Sequence, residues 1–458
     1  MDKLIRFVVD YVSYVVRGSP KFYAWMASLA VLIVVWAYAF YVQAIEGLDV
    51  TGLNNQVSDG LYLGNFAFLV GVAAAAVTVV FPAYVYQHKA LHEVTVLGEM
   101  VAISAVIMAN LFVLSHLGRP DRAWHMAPII GIFNFPDAML PLDALVLTGY
   151  LLLNAVCGFY FLYTKYTGGR MNHSWYIPLV YVSIVWALSI HTVTAFLFNT
   201  MPARPFWHVG MLPIQFIATA FAAGPALIIL IFLIIRRNTK LPIADEAINL
   251  LSTIMTFCLG IALFLLMSEV VTTLYHPAEH ALGLEYLMFG VQGLSPLVAW
   301  FWAALAANIV AFVMLLIPRV RKDYRLLPVA CVLIFAGIWV QKGSGLLVPG
   351  YIPSPIGEFS NYVPTTLEVL VGLGNWAIGF FILTILAKGA IGILLGEVKY
   401  ASEPLGVRSG VVAPFRTSFE PTRMQPWAPS SDPNARVEVG GGAGRGRRAR
   451  RQGRVAVG

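Results

Sequence analysis

The sequence predicts an all-α integral membrane protein with ten transmembrane helices. Of its 458 residues, 59% are apolar and 12% are charged, whereas charged residues make up about 25% of a soluble domain. The mean hydropathy of the chain is +0.76. Because about 20 apolar residues in a helix cross a hydrocarbon core of about 30 Å, the long apolar runs are candidate spans. These observations exclude a water-soluble globular protein.

The apolar runs are separated by Pro, Gly and charged residues, which mark where helices end. Reading the runs between these boundaries predicts helices at 22–44, 62–86, 97–116, 141–165, 176–197, 211–235, 248–275, 297–318, 326–349 and 368–395. The first run is too long for a cleaved signal, and no small-residue cleavage site follows it. It is therefore expected to remain as a helix.

Lys and Arg are distributed unevenly between the two sets of loops that alternate along the chain. Fourteen lie on one side and three on the other, the three being Arg119, Arg122 and Arg204. Cytoplasmic loops carry the excess of Lys and Arg in membrane proteins. Both termini are therefore predicted to be cytoplasmic, so that odd-numbered helices run outward.

The segment 399–458 is predicted to be a disordered, basic cytoplasmic tail, because it has too little apolar surface to offset chain entropy. It holds 11 of the 30 Lys and Arg residues, many of them in a Gly- and Arg-rich run at 440–454. Contact with anionic lipid is preferred to RNA binding as the interpretation of this charge. The lipid membrane, and no nucleic acid, is the predicted partner.

Cysteine and histidine spacing limits the cofactors that the chain itself could hold. Cys157, Cys258 and Cys331 lie inside apolar runs and form no CxxC or CxxCH motif. This excludes a cysteine-ligated iron–sulfur cluster, an attached c-type haem and a disulfide framework. No helix carries two buried histidines, so a histidine-ligated haem is not expected. The HPAEH stretch at 276–280 has a metal-like spacing, but a proline interrupts it and no metal site is predicted.

Ionisable side chains at membrane depth are the main functional clue, because inserting each one into the membrane costs on the order of 2.5–3.5 kcal/mol. His191 on helix five and Glu269 on helix seven each lie about six residues, or about 9 Å, before the predicted outer end. Asp143 begins helix four near the same surface, and the HLGRPDRAWH stretch adds His116 and Arg119. Acid and base groups are thus expected to converge under the outer surface, although His116 is also compatible with an ordinary interfacial position.

The inner half of the predicted bundle holds fewer ionisable residues. Glu99 lies near the cytoplasmic end of helix three, where a carboxylate that snorkels to the cytoplasm is preferred to a proton entry route. Lys342 lies inside helix nine and needs a counter-ion, for which Glu269 and Glu368 are both candidates. The outer group is therefore the predicted site.

Acid and base groups under one membrane surface suit a site for a quinol. The head group of a quinol loses two protons and two electrons on oxidation, and its tail needs an apolar groove. Asp143, His191 and Glu269 are predicted to surround the head group and to exchange its protons.

Six stretches of the chain carry a family resemblance. They are GLYLGNFAFLVGVAAAAVTVVFP at helix two, the HLGRP loop, LDALVLTGYLLLN in helix four, SIHTVTAFLF in helix five, FAAGPALIILIFLIIRR in helix six and VPGYIPSPIGEFSNYVPTTLEVL before helix ten. Together they resemble the NrfD/PsrC (polysulfide reductase) family of quinone-reactive membrane subunits, from about Gly18 to Gly392. Within that family the chain is most similar to the membrane subunits of sulfite-reduction-associated complexes.

The resemblance implies two four-helix bundles, at 62–197 for helices two to five and at 198–349 for helices six to nine. Outside the two bundles, the resemblance implies a cytoplasmic N-terminal segment at 1–21, the first helix with an outer loop at 22–61, and an outer loop with the tenth helix at 350–398.

By the same resemblance, the chain binds menaquinone, menaquinol or a related quinone near the outer surface and has no redox centre of its own. Asp143 matches the acid of the family at the start of helix four, and His191 matches the histidine of SIHTVTAF. The residues expected to contribute further to quinone binding are Tyr62, Asn65, His116, Arg119 and Lys342. The chain departs from many relatives at 140–142, where an aromatic residue often precedes the acid, which leaves the shape of the pocket open.

The resemblance also implies partners in the cytoplasmic membrane and on its outer, periplasmic face. The first is a ferredoxin-like iron–sulfur subunit that exchanges electrons with the quinone, in dissimilatory sulfite or sulfate metabolism. A multihaem cytochrome c, a membrane cytochrome b and a cytoplasmic iron–sulfur subunit are compatible additions. The chain would then be an enzyme only within its complex.

Two other functions stay open. A proton-conducting channel or secondary transporter needs ionisable residues near the bilayer midplane and broken helices in both halves, whereas the predicted cluster lies at the outer edge. A passive membrane anchor for redox subunits leaves His191, Glu269 and Lys342 without a role.

Overall fold

The computed structural model describes residues 2–275 and 281–400, and these form helices joined by loops. Ten helical segments are long and apolar enough to cross a membrane: Pro20–Val50, Leu61–Tyr84, Thr95–His116, Leu140–Thr167, His173–Asn199, Leu212–Asn238, Asp245–Tyr275, Val298–Leu316, Leu327–Tyr351 and Thr366–Leu394. They are called spans one to ten below. The predicted number of spans and their positions are confirmed. The HPAEH stretch and the tail from residue 401 lie outside the described residues.

Two spans are broken. Span two consists of the helices Leu61–Ala74 and Val77–Tyr84, and span nine of Leu327–Lys342, Ser344–Leu347 and a 3-10 turn at Val348–Tyr351. Span one ends in the 3-10 turn Gly47–Val50. The shorter helices outside the spans are Asp2–Val16, Lys89–His92, Pro120–Met126, Ala281–Met288 and Pro318–Lys322. The break in span nine leaves Lys342 as the last residue of a helix that ends inside the protein.

Spans two to five pack around one another, and spans six to nine do the same, which gives a first and a second bundle. Spans one and ten lie against the first bundle, since span ten packs on span three and span one on span ten. The bundles meet where span six crosses spans two and five. At this crossing a Cβ on Gly224 would collide with the Cβ of Ala75, so only a glycine allows the two backbones to approach so closely.

The N-terminal segment forms an amphipathic helix, Asp2–Val16, that the apolar runs did not predict. Its buried face carries Phe7, Tyr11 and Val15, and the Tyr11 hydroxyl donates to the carbonyl of Leu386 at 2.9 Å. A helix of this length is too short to cross a membrane. It therefore gives no long apolar run in the sequence.

Loops at one end of the bundles are tied together by polar contacts. His116 Nε2 lies 2.9 Å from Asp59 Oδ1, the Tyr351 hydroxyl donates to Asp59, and the Arg204 guanidinium lies 4.2 Å from the centre of the Tyr351 ring. These residues end spans three and nine or follow spans one and five, so these four odd-numbered spans end at one face. We call this face the Asp143 end and the opposite face the Glu99 end.

Candidate functional site

Asp143 is buried at the start of span four. It lies in the first turn of Leu140–Thr167, where the helix dipole favours a negative charge, and only 1% of it is exposed. Its Oδ1 accepts a hydrogen bond from Thr194 Oγ1 at 2.7 Å, whereas its Oδ2 has no hydrogen-bond partner. A buried polar atom without a partner costs about 1–3 kcal/mol, and more when it is charged.

His191 lies on span five, one helical turn before Thr194. It is 1% exposed, and neither ring nitrogen makes a hydrogen bond. Residues at i and i+3 share a helix face, so Thr194 places the Asp143 carboxylate beside the face that carries His191. The structure thus brings together two of the three residues that were predicted to handle protons.

Lys342 reaches the boundary between the bundles and is 4% exposed. Its Nζ lies 3.5 Å from the carbonyl oxygen of Phe216 and 4.1 Å from the centre of that ring. A Cβ on Gly71 would lie 3.2 Å from Nζ, so the ammonium rests against span two. Spans two and six, which the ammonium contacts, also pack against span five, the helix that carries His191.

The predicted counter-ions are elsewhere. Within the described residues, the ion pairs are His116 with Asp59, Arg119 with Asp121 and Arg236 with Asp245, and none includes Lys342. The Glu368 carboxylate accepts hydrogen bonds from the Tyr362 hydroxyl and from the backbone of Gly52. The Lys342 ammonium is therefore balanced by a carbonyl and an aromatic face, not by a carboxylate.

Glu269, on span seven, is held by a residue of span six. Its Oε2 accepts a hydrogen bond from Gln215 Nε2 at 2.6 Å, within the second bundle, and the residue is half-buried. No hydrogen bond or ion pair between described residues joins it to Asp143 or His191. The expected three-residue cluster is therefore not seen as one contact group.

Tyr62 and Asn65 are engaged within the protein. The Tyr62 hydroxyl donates to Gln43 Oε1 at 2.6 Å, which links span two to span one. Asn65 Oδ1 accepts from the indole N–H groups of Trp339 and Trp376, both at 2.9 Å. These contacts fasten span two to spans nine and ten.

Arg119 lies at the protein surface. It pairs with Asp121 at 2.8 Å, with 63% and 59% of the two side chains exposed. The hydrogen bond from Arg119 lowers the pKa of the Asp121 carboxyl below its usual value. The pair shapes the loop after span three, and the structure does not bring it together with Asp143 and His191.

The expectation for Glu99 is wrong. The sequence predicts a side chain that snorkels to the cytoplasm, but only 3% of this residue is exposed. Span three packs against spans two, four and ten, and Gly158 of span four lies beside the carboxyl group. The carboxyl group is enclosed by protein.

Sequence reasoning missed the side chains that hold the candidate residues. Thr194 lies inside the SIHTVTAF stretch, one turn after the histidine, so helical spacing was the signal for it. Gln215 and Asp59 carried no such signal, because their partners are remote in sequence. Within the described residues, no group of three or more His, Cys, Asp or Glu side chains could hold a metal ion.

An apolar groove of about 270 Å³ lies between spans four and five. Its lining residues are Gly149, Leu152, Leu153, Val156, Leu179, Val182 and Trp186. The Trp186 indole N–H donates to the carbonyl of Val146 at 2.7 Å, one turn from Asp143 along span four. The groove is therefore formed by the same two helices that carry Asp143 and His191.

Comparison with known proteins gives one family match. The model of the family "Polysulphide reductase, NrfD" matches residues 49–353, which covers spans two to nine.

Three relatives are similar over most of their length. A selenate reductase subunit of Mesobacillus selenatarsenatis is 23% identical over 71% of this chain and 81% of its own. A protein of Halobacterium salinarum, named as a putative dimethyl sulfoxide reductase membrane subunit, is 25% identical over 78% and 88%. The Hdr-like menaquinol oxidoreductase integral membrane subunit of Archaeoglobus fulgidus is 22% identical over 81% and 93%.

Proposed function

We propose, from the premise that the chain belongs to the NrfD polysulphide reductase family, that it is the quinone-reactive membrane subunit of a respiratory oxidoreductase complex. The proposed ligand is menaquinol or menaquinone, bound between Asp143, His191 and Lys342. One relative is named as a menaquinol oxidoreductase subunit and two as reductase subunits, which supports both parts of the proposal.

The observation that carries this proposal is a set of buried polar atoms without partners. Asp143 Oδ2 and both nitrogens of His191 have none, and Lys342 has a long contact to one carbonyl. A membrane protein keeps such groups at depth chiefly for function. A ligand with two oxygen atoms on an apolar ring would provide hydrogen-bond partners for these atoms.

Asp143, His191 and Lys342 each have a separate role in the proposed reaction. A bound quinol supplies two protons and two electrons. Asp143, held by Thr194, accepts a proton at the free Oδ2, and His191 accepts or donates a proton at a ring nitrogen. Lys342 donates a hydrogen bond and places positive charge beside the oxygen that loses its proton. The groove between spans four and five offers an apolar surface for an isoprenoid tail.

The proposed electron partner is an iron–sulfur subunit at the Asp143 end. The Lys and Arg distribution supports an outward position for this end. We propose a place for the complex in sulfite or sulfate metabolism, on the sequence resemblance alone. Further haem-carrying and iron–sulfur subunits are part of the same proposal.

A transporter is less well supported, although spans two and nine are broken in the two halves. Broken helices of transporters point backbone groups into a substrate cavity, whereas the break after Lys342 packs against span two, near Gly64. A passive anchor would give Asp143 and His191 no reason to remain polar.

The test is quinol oxidation by the native complex with His191→Ala. The variant is expected to assemble with its partners and to accept electrons from artificial dyes, but to lose quinol-dependent turnover by about 10²–10⁴-fold, the usual contribution of a proton-transfer group. Thr192→Val is the matched control, because Thr192 bonds to the carbonyl of Leu188 on the exposed face of the same helix. Quinol oxidation by His191→Ala within about twofold of the control would reject the site and favour the anchor.

A further inference from the structure

A second buried carboxyl group lies in the first bundle, far from Asp143. Glu99 Oε2 has no hydrogen-bond partner, and no ion pair between described residues includes this side chain. Glu99 lies beside Gly158 of span four, because a Cβ on Gly158 would be 3.0 Å from Oε2. Gly158 is fifteen residues after Asp143 on that helix, which corresponds to about 22 Å. The two carboxyl groups therefore form separate sites.

Among the described residues, the ionisable side chains close to Glu99 are Tyr84 on span two, Tyr150 and Cys157 on span four, and Tyr176 on span five, and none of these side chains is a base. Phenol and thiol groups are ordinarily neutral at pH 7. An ionised carboxylate in this place would thus be buried without a compensating charge, which is costly.

Two tyrosine hydroxyls and an imidazole lie at the Glu99 end of spans two and five. The hydroxyls of Tyr84 and Tyr176 lie 2.9 Å apart and bridge spans two and five. The ring centre of Tyr84 is 5.0 Å from that of His92, which lies in the loop helix Lys89–His92 and is half-buried. Burial, aided by the charges of Lys165 and His173, lowers the pKa of His92, so its imidazole is neutral at pH 7 and can pass a proton.

We propose that Glu99 is a proton-exchange site that communicates with the water at the Glu99 end of the membrane. In the step, an O–H bond forms at the carboxylate while a hydronium ion or protonated imidazole loses its proton, and the reverse step returns it. No electron is transferred. The complex would thus hold one proton site on each side of the first bundle, the quinone site at one end and Glu99 at the other.

The test is carbodiimide labelling of the whole complex in sealed proteoliposomes. Dicyclohexylcarbodiimide, which enters apolar regions, adds to a protonated carboxyl group and rearranges to a stable N-acylurea, which mass spectrometry locates on the peptide. The pH is set separately on the two faces of the vesicle. Labelling of Glu99 should fall as the pH rises at the Glu99 end, by about tenfold per pH unit once the group is mostly ionised. It should not depend on the pH at the Asp143 end.

Three variants refine the test. Glu99→Gln should remove the label from this peptide, whereas Glu93→Gln should leave it unchanged, because Glu93 is exposed in the preceding loop. Tyr84→Phe, which removes one hydroxyl of the bridge, should slow the response of Glu99 to a pH jump.

Absence of label on Glu99 in the unmodified complex would overturn the proposal, and so would labelling that follows the pH at the Asp143 end. Neither result bears on quinol oxidation, which is measured separately with His191→Ala. Loss of quinol oxidation in that variant together with an unlabelled Glu99 would leave the proposed function intact and remove only the proton-exchange site.

Discussion

The two bundles have the same helix order but differ in what they bury. The first encloses two carboxylic acids and a histidine, Glu99, Asp143 and His191, each with a polar atom that lacks a hydrogen-bond partner. Apart from Lys342, which points at the boundary, the second buries neutral groups such as Asn308, and its acid Glu269 is half-buried and bonded to an amide. Among the described residues, the two bundles share a packing pattern, whereas the buried carboxyl and imidazole groups that lack partners lie in the first bundle.

The comparison is tested most strongly by matched acid-to-amide changes in the two bundles. Asp143→Asn should lower quinol-dependent turnover by about 10²–10⁴-fold, because the amide cannot accept a proton. Glu269→Gln should stay within about twofold, well below that range. Steady-state quinol oxidation, with dye-linked activity as the assembly control, measures both. Equal losses in the two variants would mean that both bundles take part in the chemistry.

A smaller effect is expected at the residue that holds Asp143. Thr194→Val keeps the size of the side chain and removes its hydrogen bond to the carboxylate, which contributes about 1.5–3 kcal/mol. Since 1.36 kcal/mol corresponds to tenfold in rate, turnover should fall by about 10- to 100-fold. If turnover falls no further than in Thr192→Val, Thr194 does not position Asp143.

The smallest change concerns packing between the bundles. Gly224→Ala should destabilise the protein by about 1–3 kcal/mol, the cost of overpacking, because the new methyl would collide with Ala75. Gly260→Ala, in the second bundle, faces the Phe312 ring at 3.0 Å, and this side chain can move. Thermal unfolding of the purified complex should therefore show a larger drop in Tm for Gly224→Ala. A larger drop for Gly260→Ala would contradict the close crossing.

The sequence predicted the fold more completely than the site, for a physical reason. Spans are encoded by local apolar runs, so all ten were found, but the helix Asp2–Val16 was not, because its signal is periodic and not continuous. Their positions along the helices placed His191 and Glu269 at the same depth in the membrane. Depth alone does not specify which way a side chain faces. Glu269 bonds within the second bundle for this reason, and Glu99 is enclosed because spans two and four pack over it.

The most direct test of the central claim is photoaffinity labelling of the native complex with an azido-menaquinone, followed by mapping of the labelled peptides. Label is expected on the peptides of spans four and five that carry Asp143 and His191. Excess menaquinone should compete with this label, and His191→Ala should reduce it strongly. Label confined to span seven around Glu269, with none on spans four and five, would contradict the claim.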